Sequence, residues 1–175
     1  MSVLADEFST VFRAEHRAVR DALLGLITAF EARDLDRVRV LLGHTAELTG
    51  PHFRYEEETL YPSLVSVFGK AYIDHLFEEH DGAIERAAAL VALAGREHLE
   101  ETDVEHAVQL VREILPHVSD CDGLSVMVEV LPDTEVEAIF AARERSGAEG
   151  LDLLTWAQGV RGRPLALIGR SSVTS

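Results

Sequence analysis

Twice in this chain a helical pattern with Glu-His at its centre is followed by one with Pro-His: Glu15-His16 then Pro51-His52, and Glu79-His80 then Pro116-His117. His16 precedes His52 by 36 residues, and His80 precedes His117 by 37. Self-similarity at this period marks a repeated helical hairpin, a unit that cannot bury its apolar face alone. Two such hairpins packed together make a four-helix bundle, and the four histidines then meet at one level of its core.

The apolar periodicity agrees with that arrangement. From Ala5 to Arg33, Phe8, Phe12, Val19, Leu23, Leu26 or Ile27 and Phe30 recur at helical spacing, with His16 on the same stripe. A second pattern opens at Asp34, an acceptable N-cap, and carries Leu35, Val38, Leu41, Leu42 and Leu48 toward Leu60, with His52, Tyr55 and Glu56 continuing its face. Gly50-Pro51 predicts a bend here, because proline removes a backbone donor and crowds the preceding turn; Pro62 predicts an end or a second turn. A third pattern after Gly69 places Ile73, Leu76, His80, Ala83, Ala87, Leu90 and Ala94 together and stops at Gly95. The fourth, from Thr102 or Asp103, aligns Ala107, Leu110, Ile114, His117, Cys121, Leu124 and Val128, with Asp122 at the edge of that face, before Pro132.

Pro132-Asp133 then opens a shorter helix through Val136, Ile139 and Phe140 to about Arg145. Beyond Ser146, the glycines, Pro164 and a serine-rich end predict a tail with little regular structure. No strand-like alternation competes over a useful length. The expected fold is all-α: an up-down four-helix bundle with a short fifth helix over residues 1–147, and a C-terminal tail over 148–175.

Composition narrows the chemistry. At 175 residues the chain has the length of one domain, and no apolar run approaches the roughly 18 residues of a membrane span. Asp6 and Glu7 interrupt the N-terminus before a signal peptide's apolar stretch can form, so a cytoplasmic protein is expected. The single cysteine, Cys121, excludes a disulfide framework and a Cys-rich zinc or iron-sulfur site. A formal charge of -15 repels nucleic acid and anionic membranes, so neither is an expected partner.

Carboxylates accompany the histidines. Glu56 follows His52 by four residues and projects from the same face one turn on. Asp122 follows His117 by five, and Cys121 holds the i+4 place. Imidazole nitrogen with carboxylate oxygen suits iron, manganese or zinc, and so many ligands favour two ions over one. Any one of these histidines alone reads as a hydrogen-bonded core residue. Four buried imidazoles and two buried carboxylates at matched levels, however, are costly without a cation. His44, His75, His98 and His106 read as surface or supporting residues, Glu57 with Glu58 as a solvated run, and Glu15 and Glu79 as surface ion-pair partners ahead of acceptors for the ligands. Cys121 reads as a small buried residue or as a sulfur that tunes the site.

As an ordered set, these residues resemble the hemerythrin and HHE cation-binding family over about residues 8–131. The resemblance rests on His16, on His-x-x-x-Glu from His52 to Glu56, on Glu79-His80, and on His-x-x-x-x-Asp from His117 to Asp122; Glu-Glu-Thr-Leu-Tyr-Pro after Glu56 also looks like the family's continuation. It implies a non-heme di-iron centre, oxo- or hydroxo-bridged, with His16, His52, His80 and His117 as ligands and Glu56 and Asp122 bridging. One position departs: the family places a further histidine one turn before the third-helix ligand, where this chain has Leu76. His75 is displaced from that position by about 100°. Tyr55, ahead of Tyr72, is the expected replacement ligand, and its phenolate would favour ferric iron over the diferrous state that reversible oxygen carriage needs.

The chain looks closest to stand-alone hemerythrin-like proteins of actinobacteria, which implies catalase-like decomposition of hydrogen peroxide. The alternative is a non-catalytic protein that binds or senses O2 or NO, or buffers iron. A metal-free interaction bundle is the third reading.

Overall fold

The structure is a computed structural model, and it describes residues 2–161. Its long elements are α1 (Val3–Glu31), α2 (Leu35–Tyr55), α4 (Lys70–Ala94) and α5 (Glu101–Asp122). A π-helical turn (Glu56–Leu60) joins α2 to α3 (Tyr61–Phe68). After α5 come a four-residue α6 (Leu124–Met127), a 3-10 turn (Val128–Val130), α7 (Asp133–Glu149) and α8 (Leu153–Arg161). The all-helical bundle read from the sequence is the fold observed, and no helix among the described residues is long and apolar enough to cross a membrane.

Local chemistry sets the boundaries. Asp34 caps α2 by accepting from the backbone N–H of Arg37 at 3.0 Å. Glu100 and Asp103 form a reciprocal capping box at the start of α5, two residues earlier than Thr102. The fourth pattern, read as one helix to Pro132, instead breaks at Gly123 into α6 and the 3-10 turn. α2 and α5 both run through their internal prolines, Pro51 and Pro116, so each histidine follows the point where a ladder hydrogen bond is lost.

α1 packs on α2 and α5, and α4 packs on α5 and α2. The apolar stripes merge into two clusters, one on each side of the histidine level. One contains Val19, Leu23 and Phe30 of α1 with Ala83, Leu90, Val111 and Ile114. The other contains Phe8 and Phe12 with Tyr61, Leu76, Cys121 and Leu124. The histidines thus form a polar belt between two apolar plugs.

The expected tail needs correction. The 147/148 boundary falls inside α7, which runs to Gly150, a left-handed C-cap with φ of 61°. Leu153, Trp156 and Ala157 then recur at helical spacing and are buried against α2 and α4 as α8. The glycine content had masked this short apolar stripe. Pro164 and the serine-rich end lie outside the described residues.

Gly50 makes the docking of α8 possible. A Cβ at this position would collide with the carbonyl oxygen of Leu151 and lie 2.7 Å from the backbone nitrogen of Leu153. The glycine expected to bend α2 therefore lets the α7–α8 connection press against its backbone.

Candidate metal centre

His16, His52, His80 and His117 are all buried, and so is Glu56. His16 and His52 face each other with Nε2 atoms 2.9 Å apart. Glu56 Oε1 lies 3.4 Å from His52 Nε2 and 4.0 Å from His16 Nε2, while its Oε2 lies 3.1 Å from His80 Nε2. The rings of His80 and His117 are 4.8 Å apart, centre to centre. One carboxylate thus presents one oxygen to His16 and His52 and the other to His80, whose ring lies beside that of His117.

Every histidine has its Nδ1 satisfied by a carboxylate. Glu15 lies 2.9 Å from Nδ1 of His52, Glu79 3.0 Å from that of His117, Asp122 2.8 Å from that of His16 and Glu57 2.9 Å from that of His80. An Nδ1–H donated to a carboxylate aims the Nε2 edge of the ring at the centre, which is how metal-bound imidazoles are oriented. The repeat extends to these partners. Glu15 and Glu79 each precede one histidine and serve the next helix, while Glu57 and Asp122 each lie five residues after the Pro-His histidine.

Without a cation, the positive charge at the centre falls to a protonated His52. Burial works to lower the pKa of His52, but the charge of Glu56 and the hydrogen bond with Glu15 outweigh it and raise it to about 10. Burial, reinforced by His52, lowers that of His16 to about 4. Burial would raise Glu56, but His52 and His80 hold it well below the usual carboxylate range. Both oxygens of this buried carboxylate nevertheless lack a hydrogen bond. A buried carboxylate of this kind needs something positive beside it, a proton on His52 or a bound cation. His16, His52 and Glu56 offer ligand atoms within 4.8 Å of one another, the donor set and spacing of a metal site. The residues fit a cation.

The other expected ligands fall in different places. Asp122 is on the Nδ1 side of His16 with its side chain 46% exposed, outside the inner cluster. Tyr55 is buried, but its hydroxyl donates to Glu15 at 2.7 Å and lies 3.1 Å from Nδ1 of His52, again on the outer side. Tyr72 is 38% exposed. Leu76 is buried and His75 sits at the surface beside Glu78 and Glu79, as the helix geometry required.

The phenol at the centre is Tyr61, whose hydroxyl is 2.9 Å from Nε2 of His80 and 3.9 Å from the Cys121 sulfur. Sequence reasoning missed it because five residues of ideal α-helix turn roughly 140° past a full circle, which would carry Tyr61 away from Glu56. The π-helical turn closes that gap with a hydrogen bond from the Tyr61 N–H to the Glu56 carbonyl, an i to i+5 register. Burial raises the pKa of both Tyr61 and Cys121, and neighbouring Glu56 adds to it, so both are protonated near neutrality.

Three supporting residues were also read differently. Glu57 is not solvated, with only 11% of its side chain exposed, and it engages His80. Glu15 and Glu79 are acceptors for His52 and His117 before they are surface ion pairs.

Fold and site together define a helical-bundle protein built to bind a metal cation. The family model described as Hemerythrin HHE cation binding domain matches residues 8–124, most of the chain, and the protein belongs to that family. Comparison with curated proteins and with solved structures gives no match.

Proposed function

We propose that the chain holds two iron ions and decomposes hydrogen peroxide. The observation that carries this reading is Glu56, a buried carboxylate with Oε1 toward His16 and His52, Oε2 toward His80, and no hydrogen bond on either oxygen. In this reading His16 and His52 would hold one ion and His80 and His117 the other, with the Glu56 carboxylate available to both. Tyr61 takes the ligand place expected for Tyr55 or Tyr72. Asp122, expected as a bridge, holds His16 by its Nδ1, as Glu57 holds His80.

Bound iron supplies Lewis acidity and redox equivalents. The chain does the rest. The apolar plugs exclude water above and below the histidine level. The four outer carboxylates fix ring orientation, and Tyr61 keeps a phenol proton beside His80 Nε2 that it can give up when positive charge arrives. A phenolate there favours the ferric state, which supports peroxide chemistry over oxygen carriage. A cleft of about 250 Å3, lined by Glu15, His52, Tyr55 and Arg143 among others, opens toward the His52 end and suits a small polar molecule. The buried free thiol of Cys121 fits a reducing, cytoplasmic setting.

One feature favours the second reading, non-catalytic binding of O2 or NO. An apolar cavity of about 60 Å3, walled by Val19, Leu23, Phe53, Leu153 and others, has His117 in its lining. Small apolar gases partition into such spaces. The two readings separate when hydrogen peroxide is added to iron-loaded protein and to Glu56→Ala in an oxygen electrode. Sustained oxygen release that the variant loses supports catalase-like turnover. No release from protein carrying two irons per chain moves the assignment to gas binding.

A further inference from the structure

The two C-terminal helices lie beyond the span matched by the family model, yet each sends one arginine to the metal centre's supporting carboxylates. Arg143 of α7 donates from Nε to Glu15 Oε1 at 2.6 Å, and Glu15 Oε2 engages His52. Arg161 of α8 donates from Nη2 to Glu57 Oε1 at 2.7 Å, and that same oxygen lies 2.9 Å from His80 Nδ1. Arg161 Nε also donates to Asp81 at 2.7 Å, and its guanidinium lies 5.2 Å from the Trp156 ring centre. The side chains of Arg161 and Glu57 are only 12% and 11% exposed, so this is a largely desolvated pair. Among the described residues, the other two supporting carboxylates, Glu79 and Asp122, have no arginine partner.

We propose that Arg161 and Arg143 are positioning residues of the metal centre: through Glu57 and Glu15 they fix His80 and His52, which makes α7 and α8 part of the site. The inference rests on the metal-binding reading above. Physically, a glutamate that must both hold an imidazole and stay out of water needs a counter-charge in a fixed place. Without it, Glu57 is left nearly buried and uncompensated and is free to swing toward solvent, and His80 loses its orientation. Removing a partner that orients a metal-bound histidine typically costs 10–100-fold in metal affinity.

Arg161 allows a clean test, because Trp156 is the chain's one tryptophan and reports on whether α8 is docked. Full-length protein is loaded with ferrous iron and mixed with excess colorimetric chelator, and iron release and Trp156 emission are followed together. Arg161→Gln is expected to release iron about tenfold faster with no red shift of the Trp156 emission maximum, only the intensity change that follows loss of the guanidinium 5.2 Å away, because Leu153, Trp156 and Ala157 still anchor α8. Arg161→Lys should recover part of the loss. In a Glu57→Gln background, Arg161→Gln should add little, since the two act through one contact.

Wild-type release kinetics in Arg161→Gln would overturn the proposal. So would faster release that is additive with Glu57→Gln and accompanied by a red-shifted Trp156 emission, because that would make Arg161 only a clamp on α8. Wild-type protein that takes up no iron would overturn the metal-binding reading itself, an outcome distinct from either.

Discussion

The two ends of the metal centre are built by the same repeat and are not alike. At the α1/α2 end the inner groups are His16, His52 and Oε1 of Glu56. At the α4/α5 end they are His80, His117 and Oε2 of Glu56, with the phenol of Tyr61 and the thiol of Cys121 added. By the repeat, Cys121 stands where Glu56 stands, four residues after the Pro-His histidine. One hairpin therefore supplies a carboxylate for both ends, and the other supplies a soft, protonated sulfur. The symmetric parts, four imidazoles and four outer carboxylates, set orientation. If the centre holds two ions as proposed, the asymmetric parts would give its two ends different affinities.

The largest effect expected is from Glu56→Gln, which keeps the shape and removes the charge facing both ends. Iron binding should fall by on the order of 10²-fold or more at both ends together, beyond what loss of an outer partner costs. Metal analysis after equilibrium dialysis measures it. By contrast, His16→Ala should leave close to one ion per chain, held at the α4/α5 end. Equal loss of both ions from His16→Ala would mean that the ends are not separable.

Next in size is a spectroscopic difference. If Tyr61 becomes a phenolate ligand of the α4/α5 ion, ferric protein has a visible charge-transfer band that Tyr61→Phe abolishes. Tyr55→Phe should keep the band and shift it at most slightly, through the hydrogen bond from Tyr55 to Glu15. Tyr72→Phe should do nothing. A band that survives Tyr61→Phe and disappears in Tyr55→Phe would reverse the assignment of ends.

How much of this was legible beforehand follows from which rules the chain obeys. The bundle and the four histidines were readable because apolar spacing and α-helical register agree over long stretches, from Phe8 to Phe30 for instance. His75 was correctly set aside by the same register. Tyr61 was unreadable because it depends on the π-helical turn over Glu56–Leu60, and one residue of slippage moves a side chain to another face. The support from Glu57 was hidden, and that from Glu15 and Glu79 ranked behind surface pairing, for a different reason: each serves a histidine on another helix, and sequence spacing says nothing about which outer faces meet. α8 was missed because nine residues with a glycine among them carry too few apolar positions to stand out.

The two ends also differ in which C-terminal helix supports them, α7 for His52 and α8 for His80, and Gly50→Ala sharpens that contrast. The added methyl meets backbone, which cannot swivel away as a side chain can. Overpacking of this sort costs typically 1–3 kcal/mol, read as a lower thermal midpoint of metal-free protein. The shift should come with a red-shifted Trp156 emission and weakened metal retention at the His80 end. The His52 end, held through α7, should change less.

The smallest effect expected sits at the start of α8. Asp152 accepts from the backbone N–H groups of Leu154 at 3.1 Å and Thr155 at 3.0 Å and from the Thr155 hydroxyl at 2.6 Å, an N-cap that holds its carboxyl below the ordinary value of 3.8. Asp152→Ala should cost about 1 kcal/mol, measured by denaturant titration with Trp156 as the probe. Because the folded pKa is depressed, the contribution is fully present above the unfolded value and is lost as pH falls through the folded one. The gap between wild type and variant should therefore be constant near neutrality and close below about pH 4, while the gap caused by Gly50→Ala, which is steric, persists at every pH where the protein folds. A Gly50→Ala gap that closed with the same pH profile would mean that the close approach at Gly50 matters only by placing the Asp152 cap, and that α8 is held to the His80 end by its first turn and not by the packing of Trp156.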